Sequence, residues 1–254
     1  MTSHLWGVNK TQTLAPILEN KRGWYFQNII LIMNLHALIL AGGQSSRMGR
    51  RKELLCLPTG QPMYLHLYGL ISRACPNLSG VHLSLPDKPA LPGLQDPNLL
   101  DITSDTAAIP KIKNSIPIKF LFDIDHSIGP AAGLLAAYRE HPEADWLVVA
   151  CDFPLLEVET IRRLIREFDG SLTCYVNEFW FEEPLLGIWS SRSLRHLEEN
   201  VRNGRSGPRF VVKELHAKTL HSENNYELFN ANTTEEWNIA MKQFRRWREN
   251  ENEP

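Results

Sequence analysis

The sequence predicts a doubly wound α/β fold, a mostly parallel sheet with helices on both faces, and three observations carry that expectation. Short apolar runs recur at Leu35–Leu40, Val81–Leu85, Ile118–Phe122 and Trp146–Ala150, the mark of strands covered on both sides. Stretches with helical spacing of apolar residues separate them up to about residue 170. Three of the strands run out into residues suited to ligand chemistry, namely Gly42-Gly43, Asp123 and Asp152. The carboxyl ends of such strands are where open α/β sheets bind ligands. A chain of 254 residues suits one large α/β domain, or one with extensions, and buries a sizeable core.

Residues 1–34 precede the first convincing strand and show no periodicity, so they are expected to form a poorly ordered extension. Ile29–Met33 is apolar but far too short for a membrane span, and it sits too late for a secretory signal. Lys10, Lys21 and Arg22, opposed by Glu19, also fit a transit peptide, and Met33 offers a second translation start just ahead of the strand. With 22% charged residues and a net charge of −2, the chain lacks the basic surplus that bulk binding of nucleic acid needs. Four scattered cysteines without a C-x-x-C pair argue against a zinc ribbon or disulfide framework and suit a reducing, cytoplasmic compartment.

The first strand leads into Leu40-Ala41-Gly42-Gly43-Gln44-Ser45-Ser46-Arg47-Met48-Gly49-Arg50-Arg51-Lys52. The two glycines let the chain turn sharply and present bare backbone N–H groups, which converge on an anion. Arg47 as a planar fork and Lys52 as a point charge can join them against a polyphosphate. The spacing fits neither the Walker loop nor the dinucleotide fingerprint, and a Gly-Gly pair alone is often only a tight turn. The full string L-A-G-G-x-S-x-R-M-G-x-x-K resembles the N-terminal signature of the molybdenum cofactor guanylyltransferases, the MobA-like nucleotidyltransferases. Arg51 stands where that signature usually has Asp.

Pro62 suits the first turn of a helix running to about Ala74, with Leu65, Leu67 or Tyr68, Leu70 and Ile71 inward, and Pro76 beyond its end. After the second strand, residues 86–117 hold six prolines and little periodicity. Loops of that length are functional or disordered, and against the family this one reads as an insertion. The segment from Asp123 to Gly133 resembles the family's D-x-(several)-G-P-L-A-G element, with Ala131 in place of Leu. The resemblance puts an acidic residue beside the nucleotide. Asp123 matches by its place at a strand end, with Asp125 as the alternative and helix capping as the plainer role for either.

Asp152, in Cys151-Asp152-Phe153-Pro154-Leu155-Leu156, ends the fourth strand at the crevice. A hard Mg²⁺ ion takes one or two carboxylates plus substrate phosphates, and the pattern resembles the family's metal-binding motif. Glu157 to Phe168 is an amphipathic helix with Val158, Ile161, Leu164, Ile165 and Phe168 inward. Leu172–Val176 reads as a strand, followed by a turn or hairpin near Trp180–Glu183. Glu183–Trp189 resembles the family's x-P-L-x-G-x-Y/W strand beside the acceptor pocket. Phe179, Trp180 and Phe181 either stack on a pterin there or pack under the hairpin. Leu194–Val201 and Gly207–Leu215 read as helices, with Arg205 and Arg209 either touching an acidic substrate or facing solvent.

The stretch from Leu228 to Trp237 resembles the family's F-x-N-x-N-T-P-E-D/E-L element, with Thr234 in place of Pro. Thr233 or Thr234 caps a last helix. Asn230 and Asn232 alternate in an extended segment, so their amides share one face. Residues 250–254 are a polar tail.

The resemblance spans about residues 35–245. It implies the nucleotide-diphospho-sugar transferase type of Rossmann-like fold, a three-layer αβα domain over 35–249, and an enzyme moving a nucleoside monophosphate to an anionic acceptor with release of pyrophosphate. The implied substrates are GTP and molybdopterin, with no nucleic acid or membrane partner. The implied nucleotide site comprises Leu40, Ala41, Gly42, Gly43, Arg47, Lys52, Asp123 and Asp152. Arg47, Lys52 and Asp152 would act in catalysis, and Asp152 with Asn232 would hold Mg²⁺. Rival readings are cytidylyl transfer, nucleotidyl transfer to a sugar or polyol phosphate, and nucleotide binding without turnover. A further rival is a scaffold that meets cofactor-using enzymes transiently through residues 86–117.

Overall fold

The computed structural model describes residues 34–41, 51–86, 116–123 and 125–251. The expectations for residues 1–33, for Gly42, Gly43 and Arg47, and for nearly all of 86–117 fall outside them. The apolar runs form strands β1 (Leu35–Leu40), β2 (Gly80–Leu85), β3 (Ile118–Phe122) and β4 (Asp145–Ala150). They are followed by β5 (Leu172–Val176), β6 (Glu182–Trp189) and β7 (Lys218–His221). One seven-stranded sheet results, in the order β3-β2-β1-β4-β6-β5-β7. Every strand but β6 runs the same way, and β6 lies antiparallel between β4 and β5. The chain is thus the mostly parallel α/β sheet that the sequence predicts.

Burial follows position. Each residue of the inner strands β1 and β2 is buried, whereas the edge strands β3 and β7 alternate with exposed positions. This is why β1 and β2 read as continuous apolar runs, interrupted only by His36, His82 and Ser84. Burial keeps His36 and His82 neutral, holding each down to about 4, helped by the neighbouring charges of His141 and Lys119.

Helices α1 (Met63–Ala74) and α3 (Val158–Glu167) pack together, as do α2 (Ala131–Glu140) and α4 (Ser191–Arg202). α5 (Pro208–Glu214) and α6 (Thr234–Glu251) complete the set, Phe244 of α6 meeting His66 of α1 edge-on. Pro62 precedes α1 as its N-cap, and the inward face is Met63, Tyr64, Leu67, Tyr68, Leu70 and Ile71. Leu65, expected inward, is half-buried, because the stripe is centred one position off the sequence estimate. α6 begins with a reciprocal capping box. Thr233 Oγ1 accepts from the Glu236 N–H at 3.1 Å, while the Glu236 carboxylate accepts from the Thr233 N–H at 2.8 Å and the Asn232 N–H at 2.7 Å. Among the described residues no helix is long and apolar enough to cross a membrane.

Candidate active site

The carboxyl ends of β1 and β4 lie side by side, since the Cys151 N–H donates to the Leu40 carbonyl at 3.0 Å. The Ala41 N–H donates to the Ser84 carbonyl at 3.1 Å, so strand pairing continues to the point where the chain leaves β1. Asp152 is the next residue beyond that edge. Its carbonyl accepts from the Ala231 N–H at 2.8 Å, which draws the extended 229–233 segment across the end of the sheet. A main-chain bond therefore sets Asn230 and Asn232 beside Asp152.

Lys52 enters from a 3-10 turn at Lys52–Leu54. Its ammonium donates to Asn232 Oδ1 at 2.6 Å and stands 3.9 Å from Asp152 Oδ2. Asn232 thus gives its oxygen to Lys52. Asn230 instead keeps a buried Oδ1 without a hydrogen-bond partner, as does Asp152 Oδ1. Burial pushes the Asp152 carboxyl up, against the opposing pull of Lys52 and then of the Asn230 amide. The Asp152 side chain still keeps 17% of its exposure, so solvent and ligand reach it.

Arg51, the departure from the family signature, folds back onto Glu53, with Nε 2.5 Å from Oε1. Glu53 is only 1% exposed, and its cation among the described residues, Arg51, sits next to Lys52 in the chain. A buried carboxylate needs such a partner, and the pair leaves the Lys52 ammonium pointing at Asn232 and Asp152.

Asp123 follows β3, and its Oδ1 accepts from Ser84 Oγ at 2.6 Å. Asp125 caps the short 3-10 turn that follows, accepting from the Ser127 N–H at 2.8 Å. The glycine that closes the G-P-x-A-G element has a steric reason. A Cβ on Gly133 would fall 2.5 Å from Leu40 Cδ2, 2.5 Å from Ser84 Oγ and 3.3 Å from Asp123 Oδ1. Only glycine lets α2 settle against the strand ends there.

Because β6 runs antiparallel, its first residues reach the same edge as the ends of β1 and β4. Glu183 therefore joins the site, a residue the sequence marked only as the start of a strand motif. Burial raises its carboxyl; Arg209 and a 2.9 Å hydrogen bond from Asn177 oppose that, and the charge of Asp152 adds to it. Glu183 lines a cavity of about 420 Å³ with Pro130, Leu185, Arg209, Phe210 and Lys213. Arg209 also lies 5.5 Å above the Phe181 ring. Arg205 is engaged elsewhere, with Glu214 at 2.6 Å and Asn200 at 2.8 Å. Phe179, Trp180 and Phe181 occupy the turn at 177–181, where the Asn177 side chain accepts from two backbone N–H groups. They are 69%, 74% and 54% exposed, which excludes packing under the hairpin.

Comparison with known proteins gives the family and agrees with the fold. The family model of the MobA-like NTP transferase domain matches residues 37–219. The molybdenum cofactor biosynthesis bifunctional protein of Synechocystis is 27% identical over 206 residues, which is 80% of this chain. The match spans about half, 52%, of that relative's length. A molybdenum cofactor guanylyltransferase of Desulfosudis oleivorans is 24% identical over 81% of this chain and 90% of its own. In structure, the molybdopterin-guanine dinucleotide biosynthesis protein A of Archaeoglobus fulgidus superposes with a TM-score of 0.58. It is 17% identical, and the superposition covers 83% of this chain and 99% of the other.

Proposed function

The chain belongs to the family of MobA-like NTP transferase domains, nucleotidyltransferases by family, and from that premise we propose that it transfers GMP from GTP to a phosphate of molybdopterin, releasing pyrophosphate. The names of its relatives support the guanylyl donor and the molybdenum cofactor acceptor. The observation that carries the reading is the Lys52 ammonium held 3.9 Å from Asp152 by Asn232, at the carboxyl edge of the parallel strands.

The donor set fits a hard divalent cation. Asp152 Oδ1 and Asn230 Oδ1 are buried oxygens without hydrogen-bond partners, and such atoms are rare unless a ligand completes them. Asp152 and Asn230 are the residues that would hold Mg²⁺, with Asn232 holding Lys52 in place. A bound Mg²⁺ supplies charge neutralisation at the phosphate oxygens. Lys52 orients the β- and γ-phosphates as a point charge, with the Gly42-Gly43 backbone and Arg47 as its partners in that task. Asp123, fixed by Ser84, stands on the nucleotide side.

The acceptor enters from the cavity of Glu183 and Arg209. Its phosphate monoester is already an anionic nucleophile, so no general base or covalent enzyme intermediate is needed. Attack on the α-phosphorus forms the new P–O bond as the bond to the β-phosphate breaks and pyrophosphate leaves. The enzyme contributes position and charge.

The test is pyrophosphate release from GTP, CTP, ATP and UTP in turn, with Mg²⁺ and molybdopterin, and mass identification of the dinucleotide product. Release confined to GTP supports the reading. Release with another nucleotide keeps the chemistry and changes the donor. GTP binding without release from any nucleotide, with other phosphate acceptors also tried, contradicts it.

A further inference from the structure

Three histidines converge at the end of the sheet opposite Asp152. His36 of β1, His82 of β2 and His141, the C-cap of α2, bring ring nitrogens within 4.8 Å of one another. His36 pairs with Gly80 and Leu38 pairs with His82, so the two strand histidines sit diagonally on one face of neighbouring strands. Gly80 makes room between them. A Cβ there would stand 3.0 Å from His36 Nδ1 and 3.0 Å from His82 Cε1. The rings of His36 and His141 stack with centroids 4.2 Å apart, and Trp146 packs against all three.

Packing accounts for the carbon atoms but not for the nitrogens. His36 Nδ1, His141 Nε2 and both ring nitrogens of His82 are buried without a hydrogen-bond partner. The Ala37 carbonyl acts on the His82 ring electrostatically without meeting hydrogen-bond geometry. Buried polar atoms are ordinarily satisfied, and so many around one point call for a shared ligand. His36 shows how it would be met. Its Nε2 lies 3.0 Å from Asn34 Oδ1, an acceptor, so Nε2 carries the proton and Nδ1 keeps a lone pair. An outer oxygen fixing the tautomer of a histidine is the usual setting of a metal ligand.

We infer that His36, His82 and His141 bind one Zn²⁺-class cation through three neutral imidazoles, with a fourth position open to water. In tetrahedral Zn²⁺ with bonds of about 2.1 Å, ligand nitrogens lie roughly 3.4 Å apart, so modest ring rotation closes the site. Access is from the side of His141, the half-buried member. Lys119 of β3 opposes the cation electrostatically, but it is exposed and screened by water. The site ties the amino ends of β1 and β2 to the end of α2, remote from the nucleotide edge.

The test uses the full chain without a polyhistidine tag, stripped with chelator and titrated with Zn²⁺ by calorimetry and with Co²⁺ by visible absorption. The expected result is one equivalent of Zn²⁺, tetrahedral Co²⁺ bands and a raised Tm. Asn34→Ala should weaken binding about 10–100-fold, the loss typical of an outer-shell partner. His141→Ala should weaken it further, and its half-buried position at a helix end preserves folding where changes at His36 or His82 do not. Asp152→Asn should bind as wild type does, which separates this site from the proposed Mg²⁺ site. Sub-stoichiometric Zn²⁺ binding by the wild-type chain, or unchanged binding in His141→Ala, overturns the inference.

Discussion

Lys52 and Asp152, a hundred positions apart in the chain, meet at 3.9 Å at the carboxyl edge of the sheet, and Asn232 fixes the lysine with a 2.6 Å hydrogen bond. The ammonium is thereby held ready for an anion, not left to search for one. On the proposed function, Lys52→Ala should lower kcat/KM for the nucleotide by about 10²–10³, the usual cost of one transition-state charge partner. Lys52→Arg should rescue little, because a planar fork cannot replace a point charge in that space. Steady-state kinetics with Asn232→Ala beside them should show a smaller loss of the same kind. Equal kcat/KM in wild type and Lys52→Ala would show that Lys52 takes no part in the reaction.

Asp152 makes stability depend on pH in a definite direction. Its carboxyl is raised in the folded chain, burial being the first cause. The folded state therefore holds a proton that the unfolded state has released, and stability falls as pH rises from the ordinary carboxylate value through the raised one. At neutral pH the full cost is present, so in EDTA Asp152→Asn should melt higher than wild type. Below the ordinary carboxylate range the two Tm values should approach each other, since Asp152 is then neutral in both the folded and the unfolded chain. A mutant that melts lower than wild type at pH 7 would show that the Lys52 attraction outweighs burial.

Gly133→Ala tests the seating of α2. The new methyl would meet Leu40 and Ser84 at 2.5 Å, and overpacking of this kind costs about 1–3 kcal/mol. The urea midpoint should drop with an unchanged m-value. Nucleotide affinity should drop with it, because Ser84 holds Asp123 from the same spot.

Arg209 and Arg205 should part company. Arg209 lines the cavity with Glu183, whereas Arg205 is bound to Glu214 and Asn200. Arg209→Ala should raise KM for the acceptor about 10-fold or more, the worth of one charged hydrogen bond, and leave KM for the nucleotide unchanged. Arg205→Ala should change neither. An equal effect of both variants on the acceptor would place its site elsewhere.

Much of this architecture is legible in the sequence, and the rest is hidden for identifiable reasons. Runs such as Trp146–Ala150 announce buried parallel strands, because both faces must be apolar. β7 escapes notice since an edge strand of four residues buries only Leu220. The sequence also places a turn before Glu183, but no residue says that β6 enters between β4 and β5, and that insertion is what carries Glu183 to the site. Lys52, Asp152 and Asn232 stand out through motifs. The Arg51–Glu53 pair does not, because it depends on the curl of one 3-10 turn. His36, His82 and His141 are separated by long stretches of chain, and only the register of β1 on β2 brings them together.

On the proposed function, Asp152 and Lys52 form the reaction centre of the nucleotidyl transfer. Mg²⁺-dependent pyrophosphate release from GTP and molybdopterin by Asp152→Asn, beside wild type, tests it most directly. The side chains are nearly isosteric, so the fold is kept and only the charge is lost. Release should fall by at least about 10² at every Mg²⁺ concentration, with the variant still folded. Release at the wild-type rate, with the same dependence on Mg²⁺, would contradict it.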